Sequence, residues 1–332
     1  MAATSIASAT RVVYMEGDVI DHGSLIAAAL RPFGHDVIVD AYDFFKPGTL
    51  SSAHCASIKR KLEPRASGEL IVFCPGAREY FVEGPHISVA FSGYASWRAV
   101  ERLLVVPHPW GLADPGSLPV DWTEKPSLTV GFMGSTYASS RAATLCARLP
   151  RAAKEWILRG ALARSLQRQA MLEERGVPLR FLPTFPRIEA IAATASATSG
   201  SDVAVDIVDT HGFDRSERSR ERFSRHLLSN TYVLCPRGCE NYSFRMYEAL
   251  RFGRVPVVID TDMVIPDREE IERLAVIVPY SDLNQLLDYV RRDHRAHDAD
   301  AFRARQLRAL AYSARLLEEN WLGEQLADAL WH

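Results

Sequence analysis

Residues 255–259, Val-Pro-Val-Val-Ile, are apolar at every position and show none of the alternation of a strand with one wet face. A strand of this kind must be covered on both sides, the condition of a parallel strand in a sheet with helices on each face. The residues before it read the same way. A β-rich run at 231–235 ends at Pro236 and Gly238, which break it into a polar turn. A helix follows, capped by Asn241 or Ser243, with Phe244, Tyr247, Ala249 and Leu250 on its apolar face and Gly253 at its stop. Strand, turn, helix, strand makes a β-α-β unit whose helix begins at the carboxyl edge of the sheet. Its first-turn N–H groups are unpaired and its dipole favours anions, so the turn at 236–243 is a candidate phosphate cradle.

The rest of the chain repeats the alternation. Apolar runs at 11–15, 36–40, 69–74, 86–91 and 102–106 read as buried strands, with helical stretches at 25–30 and 54–62 between the first of them. Pro107, Pro109, Gly111, Pro115, Gly116, Pro119 and Pro126 then crowd together and mark a linker. A second series follows: a strand at 127–133, a helical stretch at 141–174, a Pro-, Ala- and Ser-rich surface loop at 183–201, a strand at 203–208 and an Arg-rich helix at 216–228. Beyond the 231–262 stretch come a strand at 275–278 and a helix from Ser281 to about 293, with Trp321 and Trp331 as packing residues. The expected fold is α/β, with two Rossmann-like domains at 1–125 and 126–300 facing across a cleft lined by the carboxyl ends of their strands. A helical segment at 301–332 is expected to pack back on the first domain.

Composition narrows the function classes. With 47% hydrophobic and 24% charged residues, 332 residues can bury a large core, and the chain is not of disordered type. No run of about 18 apolar residues is present, and the N-terminus lacks the basic start and apolar core of a secretory signal. A soluble, cytoplasmic protein is expected, in contact with a membrane at most peripherally. A net charge of -2 gives no general attraction to nucleic acid. Cys55, Cys74, Cys146, Cys235 and Cys239 are scattered, as reduced thiols are. Cys235 and Cys239 have no second ligand pair at zinc spacing, so no metal centre is expected.

Three runs carry a family resemblance: Cys-Pro-Arg-Gly at 235–238, Ser-Phe-Arg-Met-Tyr-Glu-Ala-Leu at 243–250 and Gly-Arg-Val-Pro-Val-Val-Ile at 253–259. Together they resemble the exostosin-like glycosyltransferases. The likeness runs back through Arg-His-Leu-Leu-Ser-Asn at 225–230 and forward through 265–283, and Phe-Met-Gly-Ser at 132–135 with Arg141 is similar to a strand end of that family. It spans about 150 residues, 128–283, and leaves the N-terminal third without a family motif. The resemblance implies a GT-B fold and transfer of a sugar from a nucleotide diphosphate donor, UDP-sugar favoured, held by the C-terminal domain. The acceptor, a glycan, a lipid-linked molecule or another hydroxyl compound, is held mainly by the N-terminal domain, as in polysaccharide biosynthesis. It further implies inversion at the anomeric carbon with no metal and no cofactor beyond the donor. A GDP-fucose-type transferase has a similar C-terminal pattern, and a catalytically silent nucleotide-sugar-binding subunit is the rival from another class.

Roles follow in the same terms. In the family register Glu248 accepts from the ribose diol, against the plain reading of a solvated helix charge. Glu240 precedes it with seven residues between, a spacing at which the first acid of many GT-B enzymes reaches the donor sugar, and one that also arises by chance. Arg237 and Arg245 are the diphosphate ligands, since a departing nucleoside diphosphate needs its developing charge stabilised. Arg245 stands about one helical turn before Glu248, so an ion pair between them is the alternative. Gly134 and Arg141, at the end of the 127–133 strand and the start of the next helix, extend the donor site, and a surface arginine is the bland reading of Arg141. Ser243 and Asn241 are caps or phosphate donors. Asp18 and Asp21, in the loop after the first strand, are the candidate bases for the acceptor hydroxyl, or simply turn residues. Asp260 and Asp262 are turn residues or sugar contacts.

Overall fold

The computed structural model of the chain describes residues 11–16, 38–43, 70–74, 86–97, 103–107, 122–159, 179–196, 202–212, 216–318, 321, 324 and 325. Two compact units are present: Met1–Val106 with Gly160–Leu179 and Glu318–His332, and Pro107–Arg159 with Arg180–Leu317. Each contains one five-stranded sheet. The two expected parallel-sheet units are therefore both found.

The first sheet comprises β1 (Arg11–Glu16), β2 (Ile38–Asp43), β3 (Leu70–Cys74), β4 (His86–Ala90) and β5 (Leu103–Val105), in the order β2-β1-β3-β4-β5. Every pairing is parallel. The second comprises β6 (Thr129–Gly134), β7 (Ala204–Asp209), β8 (Tyr232–Cys235), β9 (Val255–Asp260) and β10 (Val276–Pro279), in the order β10-β9-β8-β6-β7, again all parallel. Numbered within its own unit, each sheet has the order 2-1-3-4-5, a doubly wound arrangement whose ligand crevice opens between the first and third strands. In the second unit those strands are β6 and β8.

The described helices of the second unit are α1 (Arg141–Ala147), α2 (Arg151–Leu158), α3 (Phe185–Ser196), α4 (Glu217–Ser229), α5 (Phe244–Arg251), α6 (Arg268–Leu274), α7 (Leu286–Ala296) and α8 (Ala299–Leu316). All four residues of β8 and the first five of β9 are buried, as their unbroken apolar sequence demands. Val130, Phe132, Tyr232, Leu234, Val257, Ile259, Leu286, Val290 and Phe302 form the heart of the core.

Three expectations change. The loop expected at 183–201 is largely helix: α3 buries Phe185 and Ala190 completely. Pro183 lies in the preceding 3-10 turn, Leu179–Thr184, and Pro186 stands in the first turn of α3, where its missing N–H costs nothing. Within the helix expected at 141–174, the described part, 141–159, is instead α1 and then α2, because Pro150 cannot continue the first and serves as N-cap of the second, and 160–174 lies outside the described residues. The 301–332 segment divides: Glu318–His332 goes with the first unit, and as far as Leu317 it belongs to the second. There α8 places Phe302 edge-on to Trp122 and Tyr232. Trp122, in the stretch assigned to the linker, donates its backbone N–H to Gln306. The helical stretches at 25–30 and 54–62, Trp331 and most of the 107–126 linker lie outside the described residues.

A buried polar triad holds the two C-terminal helices to the sheet. Arg305 of α8 reaches both carboxylate oxygens of Asp293 on α7 at 3.0 and 2.8 Å, and gives its Nε–H to the Leu274 carbonyl. Tyr232 of β8 donates to the same carboxylate at 2.7 Å. With the Arg305 side chain 6% and that of Asp293 15% exposed, water replaces little of what is lost when one member goes. Arg305→Ala should therefore lower unfolding stability by about 3 kcal/mol in urea denaturation. A loss below about 0.5 kcal/mol would mean that the pair behaves as a solvated surface bridge.

Candidate functional site

The β6 and β8 strands run side by side, and the loops leaving their carboxyl ends, 135–140 and 236–243, flank the crevice. The first loop turns through Tyr137 at φ +56°, left-handed geometry that costs a non-glycine residue on the order of 1 kcal/mol. Two other loops at this edge turn the same way, through His211 at φ +53° after β7 and Asp262 at φ +64° after β9. Backbone strain gathered at one sheet edge is typical of loops shaped for a ligand.

From the second loop rises α5. Ser243 is its N-cap by backbone conformation, at φ -130° and ψ 118°, yet its hydroxyl accepts no bond from the first turn. The helix stops where expected, at Gly253 with φ +62°. Arg245 lies in its first turn with the guanidinium 4.5 Å from the centroid of Phe132 on β6 and 5.5 Å from that of Phe223 on α4. It fits there because residue 134 is glycine: a Cβ on Gly134 would stand 2.7 Å from Arg245 Nη2. The buried Arg245 Nε has no hydrogen-bond partner. One turn on, the Glu248 carboxyl makes no hydrogen bond or ion pair among the described residues. Burial pushes its pKa up, and the charge of Arg245 offsets part of that rise.

A second guanidinium stands behind these groups. Arg187 of α3 donates Nε to the Arg237 carbonyl at 3.0 Å, Nη1 to Ser135 O at 3.1 Å and Nη2 to Pro236 O at 3.3 Å. Its plane lies 4.9 Å from the ring centroid of Tyr137 and 5.9 Å from that of Phe132. Burial, and then the nearby charge of Arg245, pull its pKa down to about 10. Cys235, fully buried at the end of β8, feels the charges of Arg245, Glu248 and Arg187, which places all four at one spot. Its thiol, pushed up by burial, belongs to the core. Among the described residues neither Arg187 nor Arg245 is ion-paired. Two cations pack on the ring of one phenylalanine, neither with a hydrogen-bonded carboxylate among the described residues.

The remaining candidates fall into place around this pair. Arg237 has no exposure and turns inward, to Asn241 Oδ1 at 2.7 Å and Cys239 O at 3.3 Å. It holds the shape of its own loop and is not presented to a ligand. Asn241, also without exposure, neither caps α5 nor faces the crevice, because Thr261 donates to its Oδ1 and its Nδ2 goes to Asp262 O. Glu240 is half-buried on the same loop, beside Tyr242, whose pKa is raised well above its ordinary value by burial first and by Glu240 next. Arg141 is exposed at the start of α1, behind an N-cap, Ser140, that accepts from Ala143 N. Asp260 accepts from Met263 N, a turn role. Asp18 and Asp21 lie outside the described residues. The strand they follow, β1, ends at Glu16 between β2 and β3, next to the first sheet's own switch point. Sequence reasoning missed Arg187 altogether, and the sign that could have found it is Pro186 opening an Ala-rich run of helical length.

Comparison with known proteins bears on this edge. Residues 191–292 match the exostosin GT47 domain. A probable glucuronosyltransferase of Oryza sativa subsp. japonica is 36% identical over 76 residues, 22% of this chain and 18% of that protein. An exostosin-1 homolog of Caenorhabditis elegans is 41% identical over 59 residues, 18% of this chain and 15% of that one. The matches thus span under a fifth of either relative. Among solved structures, a sucrose-phosphate synthase from Thermosynechococcus elongatus aligns over 97% of this chain and 98% of its own at 11% identity, with a TM-score of 0.45. WaaG, a glycosyltransferase involved in lipopolysaccharide biosynthesis, aligns over 97% and 99% at 12% identity, with a TM-score of 0.40. Likeness of that size adds nothing to what the strand order shows.

The raised carboxyl of Glu248 has a thermodynamic sign. A group that holds its proton more tightly when folded costs the fold nothing below its unfolded value of 4.5, and its full penalty appears above the folded value. Glu248→Gln should accordingly be more stable than the parent protein at pH 7, with the gain vanishing as pH falls to about 4. Thermal midpoints across that range read it directly. A variant less stable at pH 7 would mean that the carboxylate is paired.

Proposed function

We propose, from the match of residues 191–292 to the exostosin GT47 domain, that this chain is a glycosyltransferase that takes its sugar from a nucleoside diphosphate donor, a UDP-sugar, and inverts the anomeric centre. The carrying observation is the uncompensated guanidinium of Arg245 beside Arg187 at the start of α5. A half-buried pair of like charges is costly until an anion joins it. A diphosphate at the helix N-terminus would meet the positive end of the α5 dipole, the unused Ser243 hydroxyl and the Arg245 fork together.

The same arrangement supplies chemistry. As the acceptor oxygen attacks the anomeric carbon, the bond from that carbon to the β-phosphate oxygen breaks and the electron pair departs with the nucleoside diphosphate. Arg245 and the helix N-terminus lie where that charge grows, so they stabilise the transition state more than the ground state. Guanidinium groups then perform the neutralising task that a divalent cation performs elsewhere, and this is the ground for metal-independent transfer. The Glu248 carboxylate, one turn on, accepts from the ribose diol. Its raised pKa means that binding should weaken as pH falls. Asp18 or Asp21, following β1, is the proposed base that takes the acceptor proton, and Glu240 the proposed sugar contact. The acceptor is a glycan, a lipid-linked or a small hydroxyl compound, met in the cytoplasm, as one step of polysaccharide assembly.

Nucleotide release from a panel of UDP-, GDP- and dTDP-sugars tests the proposal. UDP-sugars should turn over without added metal and in the presence of a chelator, and Arg245→Ala should cut kcat by about a hundredfold or more. Release from GDP-fucose alone would reassign the donor. Tight UDP binding with no release from any donor and any acceptor would make the chain a binding subunit, and binding of no nucleotide would sink the proposal.

A further inference from the structure

Arg187 is the group that the resemblance did not single out and that lies just before the matched residues, 191–292. Its hydrogen bonds have an unusual distribution. Its three hydrogen bonds all go to backbone carbonyls, one on the loop after β6 and two on the loop after β8, at 3.0 to 3.3 Å. Those are the two loops that flank the crevice. A planar fork with donors on three sides can span them, whereas the point charge of a lysine cannot. A Cβ on Gly238 would stand 3.4 Å from Arg187 Nη2, so the second loop passes close over the guanidinium. Tyr137, in its left-handed conformation, closes the first loop over the other side, and its hydroxyl reaches Cys239 Sγ on the second loop at 3.7 Å.

The position of Arg245 depends on the same group. Both guanidinium groups lie over Phe132, and Gly134 leaves the gap that Arg245 fills. The loop carrying Ser135 and Tyr137 starts at Gly134, and the loop carrying Pro236 and Arg237 leads into α5. Moving either loop moves Arg245 relative to the crevice. Arg187 is itself held by α3, whose N-terminal residues Phe185 and Pro186 are buried in the core.

We propose that Arg187 is the positioning residue of the diphosphate cradle, clamping the loops after β6 and β8 to one another so that Arg245 and the start of α5 meet the phosphates in register. This rests on the donor-site reading above and adds to it a residue from outside the family match. A clamp predicts cooperative behaviour. The loops should open together, and the loss should fall on phosphate recognition, with the nucleoside largely spared.

Arg187→Lys and Arg187→Met, with the parent protein, would be titrated with UDP and with uridine by calorimetry. Both variants should lose at least about tenfold in UDP affinity, and change uridine affinity by less than about threefold. Lysine should not rescue, because it keeps the charge and loses the fork. UDP affinity in Arg187→Lys equal to that of the parent, or equal losses for UDP and uridine, would overturn the clamp. Amide hydrogen exchange without nucleotide supplies a second reading, open even to a destabilised variant. In Arg187→Lys, amides of 135–140 and 236–243 should exchange faster as one group; faster exchange in only one loop, or in neither, contradicts the proposal. A parent protein that binds no nucleoside diphosphate removes the donor reading, and the exchange experiment still decides whether Arg187 joins the loops.

Discussion

The order of the second sheet determines where everything else can happen. β6 is followed in its sheet by β7 on one side, and β8 by β9 on the other, so the chain leaving β6 and the chain leaving β8 diverge. Between them a crevice opens that needs no special sequence, only two strands buried on both faces and crossing helices. The apolar runs of β6, β8 and β9 are therefore the first requirement of the site. The polar residues at their ends are the second, because the packed strands fix where those ends stop.

What the chain puts in that crevice is positive charge with no ion-paired carboxylate among the described residues. Several arginines elsewhere are paired: Arg305 with Asp293, Arg291 with Asp202 and Asp288, Arg308 with Glu270, whereas the buried Arg254 packs on Trp122 with no ion pair among the described residues. Arg187 and Arg245 are the two that stand together at the carboxyl edge, and each packs on an aromatic ring, which tolerates a cation while leaving edge donors free for an anion or a carbonyl. Stability is given up at one place where function would use it. The raised carboxyl of Glu248 belongs to the same pattern: an acid buried beside a cation it does not bond.

Much of this was legible in the sequence, and the reasons differ by residue. The unbroken apolar strands and Gly253 announced β8, α5 and β9 because burial on both faces and a left-handed stop leave few residue types to choose from. Glu248 and Gly134 could be named through the family resemblance, and the helix period added that Arg245, three residues before Glu248, can share its face. Arg237 and Asn241 could not be separated from true ligands, since a turn arginine that satisfies its own loop and one that awaits a phosphate share the same sequence. Only the bonds from Arg237 to Asn241 and Cys239 tell them apart. Arg187 stayed hidden for a different reason: two prolines made 183–201 resemble a loop, while one of them was opening a helix. The long-range bonds of Arg187 span some 50 positions of sequence, a separation that no local pattern reports.

The most direct test of where the donor binds is a crystal structure with UDP. The diphosphate should lie at the start of α5, within hydrogen-bond reach of the Arg245 guanidinium and the Ser243 hydroxyl, with the ribose diol on Glu248. An ordered UDP bound elsewhere, with Arg245 and Glu248 untouched, would contradict the assignment of the β6–β8 crevice as the donor site.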